Sequence, residues 1–328
     1  MHVIGSLSAG GAERFVVDLV CALKRNGLAV GVAALSSGGD AAGAQLRARL
    51  DNAQVPLQTG PTVRVGGRSL LWYRRMLARW QPKLAHLHTE NTELAHYLAK
   101  SFVPRRPQIV RTLHTTKPSI QFLHQRARRG NRAVLSIACG PAVLERFATE
   151  VRGRLIAIPN GVDFHWPAQT ESLKAKQQRE LGWDPAECHF IHVGGMRGAS
   201  IESAAKAHDV LLKAWSEGRM GERAARLHLV GDGNLRRDLE RLAGHDSSVV
   251  FHGIQANVWQ WLVAADIFVM PSRFEGLPIA GIEALGSGLP CIFSDIAPLR
   301  RLAGTSVTYT RTDDHHELAA HMIGVIKV

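Results

Sequence analysis

Short apolar runs alternate along this chain with longer segments whose apolar residues recur every three or four positions. The first such pair is an apolar run at residues 3–4 and a periodic segment at 12–24, which Gly27 follows. Short apolar runs are typical of strands buried on both faces, and the longer periodicity is typical of amphipathic helices. We therefore predict helix-covered parallel strands. In the first half, the strands are predicted at 3–4, 28–35, 84–88, 108–113 and 134–138.

The same alternation restarts in the second half of the chain. Strands are predicted at 190–193, 227–230, 249–251, 267–270 and 290–293, with helices at 207–215, 235–242 and 259–264. Between the halves, Pro159-Asn160-Gly161 is a turn signal, and the polar segment 168–180 indicates a linker. We predict an α/β protein of two Rossmann-like domains, 1–164 and 165–328, which face each other across a ligand cleft.

Length and composition agree with two ordinary cytoplasmic domains. The chain has 328 residues, of which 45% are hydrophobic, so disorder is excluded. We expect no membrane span and no secretory signal, because no long apolar stretch or basic leader is present. The four cysteines form no CxxC pair, so we expect reduced thiols, no disulfide frame and no metal site.

The formal net charge of +12 is concentrated in the first half. No acidic residue occurs between Glu93 and Glu145, and this interval includes Arg126, Arg128 and Arg129. A basic face of this kind fits an anionic membrane, an acidic substrate or nucleic acid, or it is simply solvated. Nucleic acid is the least favoured partner, because no recognition helix or aromatic platform is recognisable.

Two carboxylates eight residues apart are the strongest chemical signal. Glu275 and Glu283 flank Pro278, and proline fits the first turn of a helix. Glu275 would lie on the loop before that helix and Glu283 about one and a half turns inside it. With the free N–H groups of the helix start, they could hold a sugar joined to a nucleotide by a diphosphate. The alternative is a capped helix with one solvent-facing glutamate.

Glycine-rich turns follow predicted strands in both halves. Gly10 and Gly11 open the first helix and could let a ligand approach the backbone, or could only make a tight turn. Their sequence is neither a Walker A loop nor GxGxxG. His114 ends a predicted strand, where side chains face a ligand cleft, although a single histidine is often structural.

In the second half, Gly195 and Arg197 follow a strand, and Lys206 precedes the next helix. Two cations at strand ends suit a diphosphate, and solvated charge is the alternative. Asp232 lies between two glycines and is a weaker candidate for nucleotide contact, since the segment could be a bare turn.

Taken in order, these segments resemble the GT-B glycosyltransferases of family 4, also called group 1. The resemblance covers most of the chain and rests on Gly10-Gly11-Ala12-Glu13, His86-Leu87-His88, residues 159–163, Val230-Gly231-Asp232-Gly233, and the pair Glu275 and Glu283. It implies a hexosyltransferase-type enzyme that moves a sugar, with retention, from a nucleotide-sugar donor to an acceptor hydroxyl. A UDP-sugar is the favoured donor, and a lipid-linked or polysaccharide molecule is the implied acceptor. No metal or other cofactor is expected.

The resemblance also implies roles for individual residues. The first domain would bind the acceptor, with His114 beside the sugar. The second would bind the donor, with Glu283 on the ribose and Arg197 and Lys206 on the leaving diphosphate. The implied catalytic residues are His114, Glu275, Arg197 and Lys206, with Glu275 on the transferred sugar. The remaining implied donor contacts are Gly10, Gly11, Gly195, Asp232, Gly276, Leu277 and Pro278. Localisation would be cytoplasmic, peripheral on the inner face of a membrane, with Arg126, Arg128 and Arg129 towards lipid or acceptor.

Two departures from the family pattern keep other functions open. Gly195 stands where the family commonly has arginine, so either Arg197 substitutes or the phosphate grip is weaker. The sequence also ends at residue 328, soon after one predicted helix, where family members usually continue with a helix that packs on the first domain. A nucleotide-sugar epimerase and a catalytically degenerate nucleotide-binding protein are the alternatives.

Overall fold

The computed structural model describes residues 1–8, 10–100, 106–117, 122–162 and 167–326. Contacts between Cα atoms divide the chain into two compact units, Met1–Gly161 and Val162–Val328. The boundary predicted between residues 164 and 165, like residue 163 of the hinge-like motif, lies outside the described residues. Each unit is considered by itself below.

The first unit is built on a seven-stranded parallel sheet. Its strands are β1 His2–Ser6, β2 Val32–Ser36, β3 Leu57–Thr59, β4 Leu84–Leu87, β5 Gln108–Leu113, β6 Leu135–Ala138 and β7 Leu155–Ala157. Its helices are α1 Gly11–Arg25, α2 Ala41–Asn52, α3 Gly67–Trp80, α4 Glu90–Ala99, α5 Phe122–Gly130 and α6 Pro141–Phe147. The strand order is β3-β2-β1-β4-β5-β6-β7.

The second unit is built on a six-stranded parallel sheet. Its strands are β8 Cys188–Val193, β9 Ala225–Val230, β10 Val249–Gly253, β11 Ile267–Met270, β12 Cys291–Ser294 and β13 Thr308–Thr310. Its helices are α7 Glu171–Leu181, α8 His208–Glu217, α9 Arg236–Ala243, α10 Val258–Ala264, α11 Ile279–Gly286, α12 Ala297–Ala303 and α13 His315–Val325. The strand order is β10-β9-β8-β11-β12-β13.

Both sheets share the doubly wound order, in which winding starts at a central strand, runs outward to one edge and then returns to build the other side. The direction changes between β1 and β4 in the first unit and between β8 and β11 in the second. Ligands of open parallel sheets bind at such a switch point, beyond the carboxyl ends of the two strands. The fold therefore places one candidate ligand site in each unit.

Alternating side chains along the strands fill two cores in the second unit. Phe190 and Val269 belong to one cluster, and their chain neighbours Ile191 and Phe268 belong to the other. All four are completely buried, as expected for a sheet covered by helices on both faces. This confirms the prediction of helix-covered parallel sheets.

Two local predictions are wrong. The second strand begins at Val32 and not at residue 28, because Leu28 lies on the surface after the end of α1. The predicted linker at 168–180 is largely helix α7. Thr170 caps that helix by accepting a hydrogen bond from the Leu173 N–H, and Gly182 ends it in the left-handed region at φ 69°.

Within the described residues, no helix combines the length and the apolar character that crossing a bilayer requires. All four cysteines are free, and Cys21, Cys139 and Cys291 are buried. This confirms the absence of a disulfide frame.

Candidate functional site

The loops after β8 and β9 are held together at the carboxyl edge of the second sheet. Gly231 has φ 138°, and a Cβ atom there would lie 2.0 Å from the Gly194 carbonyl oxygen. A Cβ atom on Gly233 would lie 2.1 Å from the Met196 carbonyl oxygen, which also accepts the Leu235 N–H at 3.0 Å. Only glycine fits these contacts, so the two loops form one closely packed backbone surface.

An ion pair lies at the switch point of this sheet. Lys206, on the loop after β8, donates from Nζ to Oε1 of Glu275, on the loop after β11, at 2.6 Å. The Glu275 side chain is only 7% exposed and that of Lys206 is 26% exposed. A basic group and a largely buried acidic group thus meet where the fold predicts ligand binding.

Arg273 fixes the geometry of this ion pair. Its guanidinium donates to both carboxylate oxygens of buried Asp209, at 2.9 and 2.8 Å, and its backbone N–H donates to the Ala205 carbonyl at 2.8 Å. These bonds tie the loop that carries Lys206 to the loop that carries Glu275. The sequence analysis did not identify Arg273, although a second charged residue so close to Glu275 was a usable signal.

Helix α11 begins where the proline predicted it. Pro278 is its N-cap residue, and Glu283 is its fifth residue, 2% exposed. Gly276 is buried and Leu277 is partly buried, between Glu275 and the helix start. The two glutamates therefore lie on the loop and inside the helix, as predicted, and both are buried.

The other candidates of this unit lie on the two glycine loops. Arg197 is exposed, and a Cβ atom built on exposed Gly195 would find its nearest neighbours, all on Arg197, at 3.9 Å. Asp232 accepts the Gly233 N–H at 2.7 Å and Nη1 of Arg236 at 3.1 Å. Asp232 therefore shapes its own turn, whereas Gly195 has room for a larger side chain.

A chain of histidines leads to the carboxyl edge of the first sheet. Nδ1 of His2 lies 3.1 Å from Nε2 of His88, and Nδ1 of His88 lies 3.4 Å from Nε2 of His114. Burial lowers the pKa of His2 to about 3 and of His114 to about 4, and the pKa of His88 lies well below its usual value. Each ring is thus neutral at pH 7 and has one N–H donor and one acceptor. The chain can run in either direction, so Nδ1 of His114 either donates or accepts.

A second histidine chain crosses β8, β9 and β10, and its direction is fixed. Nε2 of His189 contacts the Asp184 carbonyl oxygen at 2.8 Å, and this oxygen can only accept. Nδ1 of His189 must then accept from Nε2 of His228 at 3.1 Å, and Nδ1 of His228 from Nε2 of His252 at 2.8 Å. Burial lowers all three pKa values, to about 2 for His228 and about 4 for His252. We therefore assign Nδ1 of His252 as an acceptor.

The first glycine loop is shaped by neighbours that the sequence analysis did not identify. Helix α1 starts at Gly11, and Gly10 is its N-cap residue in an extended conformation at φ 178°. On the loop after β2 and at the start of α2, Gly38 and Gly43 pass so close to Leu7 that Cβ atoms would lie 1.9 and 2.2 Å from its carbonyl oxygen. These contacts place the backbone of the first loop.

The three arginines predicted to face lipid or acceptor differ in orientation. Arg126 and Arg129 are exposed on α5, whereas the side chain of Arg128 is only 9% exposed. Arg128 donates to Oε1 of Glu90 at 2.9 Å. Arg126 and Arg129 are therefore accessible from solvent, and Arg128 is turned inward.

Two clusters in the described residues bring three potential metal-ligand atoms within 4.8 Å of one another. One is the buried set His2, His86 and His88, and the other is the surface set Glu217, His315 and His316. Neither includes a residue of the Lys206–Glu275 site. The expectation that no metal is needed stays a prediction.

Comparison with known proteins gives matches to both units. A model described as Glycosyltransferase Family 4 matches residues 9–166, and one described as Glycosyl transferases group 1 matches residues 188–327. EpsF of Bacillus subtilis (strain 168), named as a glycosyltransferase, is 34% identical over 149 residues, which are 44% of this chain and 37% of that protein. The lipopolysaccharide 1,6-galactosyltransferase of Escherichia coli (strain K12) is 33% identical over 117 residues, 32% of this chain and 30% of that protein.

The chain thus spans about a third of the length of these curated relatives. Among solved structures, HepE of Anabaena in complex with UDP and glucose superposes with a TM-score of 0.79 at 19% identity, covering 99% of this chain and 89% of that chain. This likeness, together with the two doubly wound sheets, confirms the predicted GT-B fold class.

Proposed function

Because the chain belongs to the group 1 glycosyltransferases, also called family 4, we propose that it transfers a sugar from a nucleotide-sugar donor to a hydroxyl of a lipid-linked or polysaccharide acceptor. The product would be a cell-surface glycan or lipopolysaccharide. The Escherichia coli relative named for lipopolysaccharide and the UDP and glucose in the HepE structure support this choice of acceptor and a UDP-sugar donor. The second unit binds the donor and the first binds the acceptor.

The observation that carries the proposal is the Lys206–Glu275 ion pair at the second switch point. A nucleotide sugar presents the negative charge of its diphosphate to Lys206 and the hydroxyls of its transferred sugar to Glu275. An ammonium group suits phosphate oxygens, and a carboxylate accepts O–H bonds. One ion pair therefore supplies a contact for each end of the bond that breaks.

Other residues of the unit complete the donor site in this proposal. Glu283 accepts two ribose O–H bonds, because one carboxylate can serve both hydroxyls. The N–H groups of Gly276 and Leu277 bind the phosphate at the start of α11. Arg197 and Lys206 both lie on the loop after β8 and reach the diphosphate.

In the reaction, the bond between the anomeric carbon and the diphosphate oxygen breaks, and a bond from that carbon to the acceptor oxygen forms. Negative charge grows on the leaving diphosphate, and its departing oxygen takes up the proton that the acceptor hydroxyl loses. Lys206 and Arg197 stabilise that charge, so no metal ion is required in this proposal. We propose retention of configuration at the anomeric carbon, in line with the family.

His114 of the first unit contacts the transferred sugar. Its lowered pKa keeps it neutral, so it offers one hydrogen-bond donor or acceptor without adding charge. We also propose that the protein is cytoplasmic and peripheral on the inner face of a membrane, with Arg126 and Arg129 towards anionic lipid. Arg126→Glu with Arg129→Glu should then reduce binding to anionic vesicles in a sedimentation assay. Unchanged binding would exclude this surface.

The donor is tested by thermal melting with UDP, GDP, ADP and their sugar conjugates. A ligand at 100 times its Kd adds about 2.7 kcal/mol of stability, so a clear rise in Tm is expected with the UDP series. Glu283→Ala should abolish the rise. Glu180→Ala, a glutamate on surface helix α7, is the matched control and should keep it.

The proposed donor site would be contradicted if no nucleotide raised the Tm of the wild type, or if the Tm of Glu283→Ala still rose with the UDP series. Product analysis with the best donor then separates the candidate reactions. Transfer releases the nucleoside diphosphate and attaches the sugar to an acceptor, whereas epimerisation leaves an altered nucleotide sugar. A protein that binds the donor but turns over none of it would be the degenerate alternative.

A further inference from the structure

A cavity of about 300 Å³ lies at the amino edge of the first sheet. Five of its lining residues are arginines, namely Arg111, Arg128, Arg129, Arg132 and Arg152. Arg132 lies just before β6, which begins at Leu135, and Arg152 lies just before β7, which begins at Leu155. The cavity therefore opens near the amino ends of these strands, whereas His114 and the glycine loop lie at the carboxyl edge. It is a separate feature of the unit.

The charge of this cavity is not balanced by its own walls. Glu150 is the one acidic side chain among its lining residues, and it already pairs with Arg146 at 2.6 Å. Behind the wall, the buried carboxylate of Glu93 contacts Nη1 of Arg111 at 2.8 Å and lies 3.7 Å from Nε of Arg128. Glu90 also pairs with Arg128, at 2.9 Å, so Arg111 and Arg128 are balanced by two carboxylates. The excess positive charge of the cavity comes from Arg129, Arg132 and Arg152.

Two donors in the wall lack hydrogen-bond partners among the described residues. These are the Nε atoms of Arg111 and Arg128, and Arg111 is only 3% exposed. A buried donor without a partner costs about 1–3 kcal/mol, and more for a charged group. Because both atoms are sealed from solvent, they add to the positive potential behind the cavity and do not themselves contact a ligand there.

The backbone at Arg132 is a third, independent feature. Its φ is 44°, in the left-handed region, where a residue other than glycine costs on the order of 1 kcal/mol. Glycine would adopt this conformation more easily. An arginine is thus held in an unfavourable conformation at the wall of a cationic cavity.

We propose that this cavity binds a dianionic phosphate group. Guanidinium groups match phosphate oxygens with paired hydrogen bonds, and a dianion would offset the excess positive charge of the cavity. The volume is at the small end of ligand pockets, which suits a phosphate with a small attached group. The group could belong to a soluble phosphate ester or diphosphate, or to an anionic lipid headgroup. The proposal does not depend on the donor site of the second unit.

The test titrates the full chain with inorganic phosphate and pyrophosphate, using calorimetry. Arg132→Gly removes one cation and relieves the left-handed conformation, so we expect at least tenfold weaker binding with an unchanged or higher Tm. Arg219→Gly is the matched control, because Arg219 also has a positive φ, 49°, and lies exposed in the second unit. The Arg219→Gly variant should bind phosphate and pyrophosphate with the affinity of the wild type. A loss of affinity with a higher Tm cannot be explained by unfolding.

Two further experiments distinguish a soluble phosphate from a lipid headgroup and this cavity from the donor site. Lys206→Met removes a cation of the proposed donor site, and the sensitivity of phosphate binding to Arg132→Gly should persist in that background. Sedimentation with vesicles of phosphatidic acid, whose headgroup is a phosphomonoester, and phosphatidylcholine tests the headgroup. If Arg132→Gly weakens both phosphate and vesicle binding, the headgroup is the source, and if it weakens only phosphate binding, the ligand is soluble. If Arg132→Gly changes neither, or if Arg219→Gly has the same effect, the proposal is overturned.

Discussion

The two switch points of this molecule have the same strand order and opposite chemistry. In the first unit, the carboxyl edge carries His88 and His114, whose lowered pKa values make them neutral at pH 7. In the second, it carries the ion pair between Lys206 and Glu275. The fold fixes where a ligand can bind, and the loop side chains decide whether that ligand is met by charge or by neutral hydrogen bonds. A charged donor and a neutral sugar hydroxyl would need these two different settings.

The two histidine chains also differ, because the direction of the hydrogen bonds is fixed in the second unit and open in the first. In the second unit, the Asp184 carbonyl oxygen sets the direction of every hydrogen bond up to His252. In the first unit, the rings of His2, His88 and His114 contact one another, and no such contact of these rings with a carbonyl oxygen is seen among the described residues. His114 can therefore exchange a donor for an acceptor when the whole chain changes tautomer, a freedom that suits a group contacting different hydroxyls.

The largest expected effect comes from removing charge at the second switch point. Lys206→Met should lower kcat by about 10³-fold, because one preorganised group that stabilises developing charge has about this effect. His114→Gln should lower kcat much less, since neutral His114 offers a hydrogen bond and no charge. Steady-state transfer assays compare the variants, with circular dichroism as the control for folding. An equal loss of kcat in the two variants would contradict the contrast between a charged second switch point and a neutral histidine at the first.

A smaller effect is expected from the group that aligns the ion pair. Arg273→Ala should lower the free energy of unfolding by about 3 kcal/mol, because it leaves the buried carboxylate of Asp209 without its partner. Arg300→Ala is the matched control, since Arg300 makes a similar forked contact with Asp295 on the surface.

The control should cost much less, because both partners of this ion pair are exposed to solvent. Urea unfolding measures both variants, and nucleotide affinity is measured on the folded protein. If Arg273→Ala keeps full stability, Arg273 does not fix the loops, and the alignment must come from the glycine contacts alone.

Adding charge to the second switch point should sharpen the contrast. Gly195→Arg fits the available space, because the nearest atoms to its Cβ would lie 3.9 Å away on the Arg197 side chain. One further charged hydrogen bond should tighten nucleoside diphosphate binding about tenfold. Gly195→Ala should leave the affinity unchanged, and calorimetry compares the two. An unchanged affinity for Gly195→Arg would mean that Arg197 already fills this role.

The smallest effect is the pH dependence contributed by one histidine of the first switch point. His114 protonates near pH 6.5 when unfolded and at about 4 when folded. Between these values the unfolded state binds more protons, so stability falls as pH falls, by at most about 1.4 kcal/mol per pH unit for one group. His114→Gln should therefore flatten the slope of stability between pH 6.5 and 4. Above pH 7 its slope should equal that of the wild type, and an unchanged slope below pH 6.5 would show that His114 is not buried.

Much of this fold follows from local pattern. Strands β5 and β11 have the predicted bounds, and α11 starts at the predicted proline. Helix α7 was missed because its sequence is polar; its placement depends on long-range bonds, such as that from the Gln178 side chain to the Ala264 carbonyl at 3.0 Å. No local period encodes such a contact, and composition alone therefore indicated a linker.

The sequence by itself determined the parallel α/β class, the family, and the candidate residues Glu275, Glu283, Lys206 and His114. These depend on the period of apolar residues and on the chemistry of short motifs, which are local properties of a chain. Only the tertiary structure decided that Lys206 contacts Glu275, that Arg273 holds their loops together, and that five arginines surround one cavity. Those contacts join residues far apart in sequence, and they depend on strand order and loop packing.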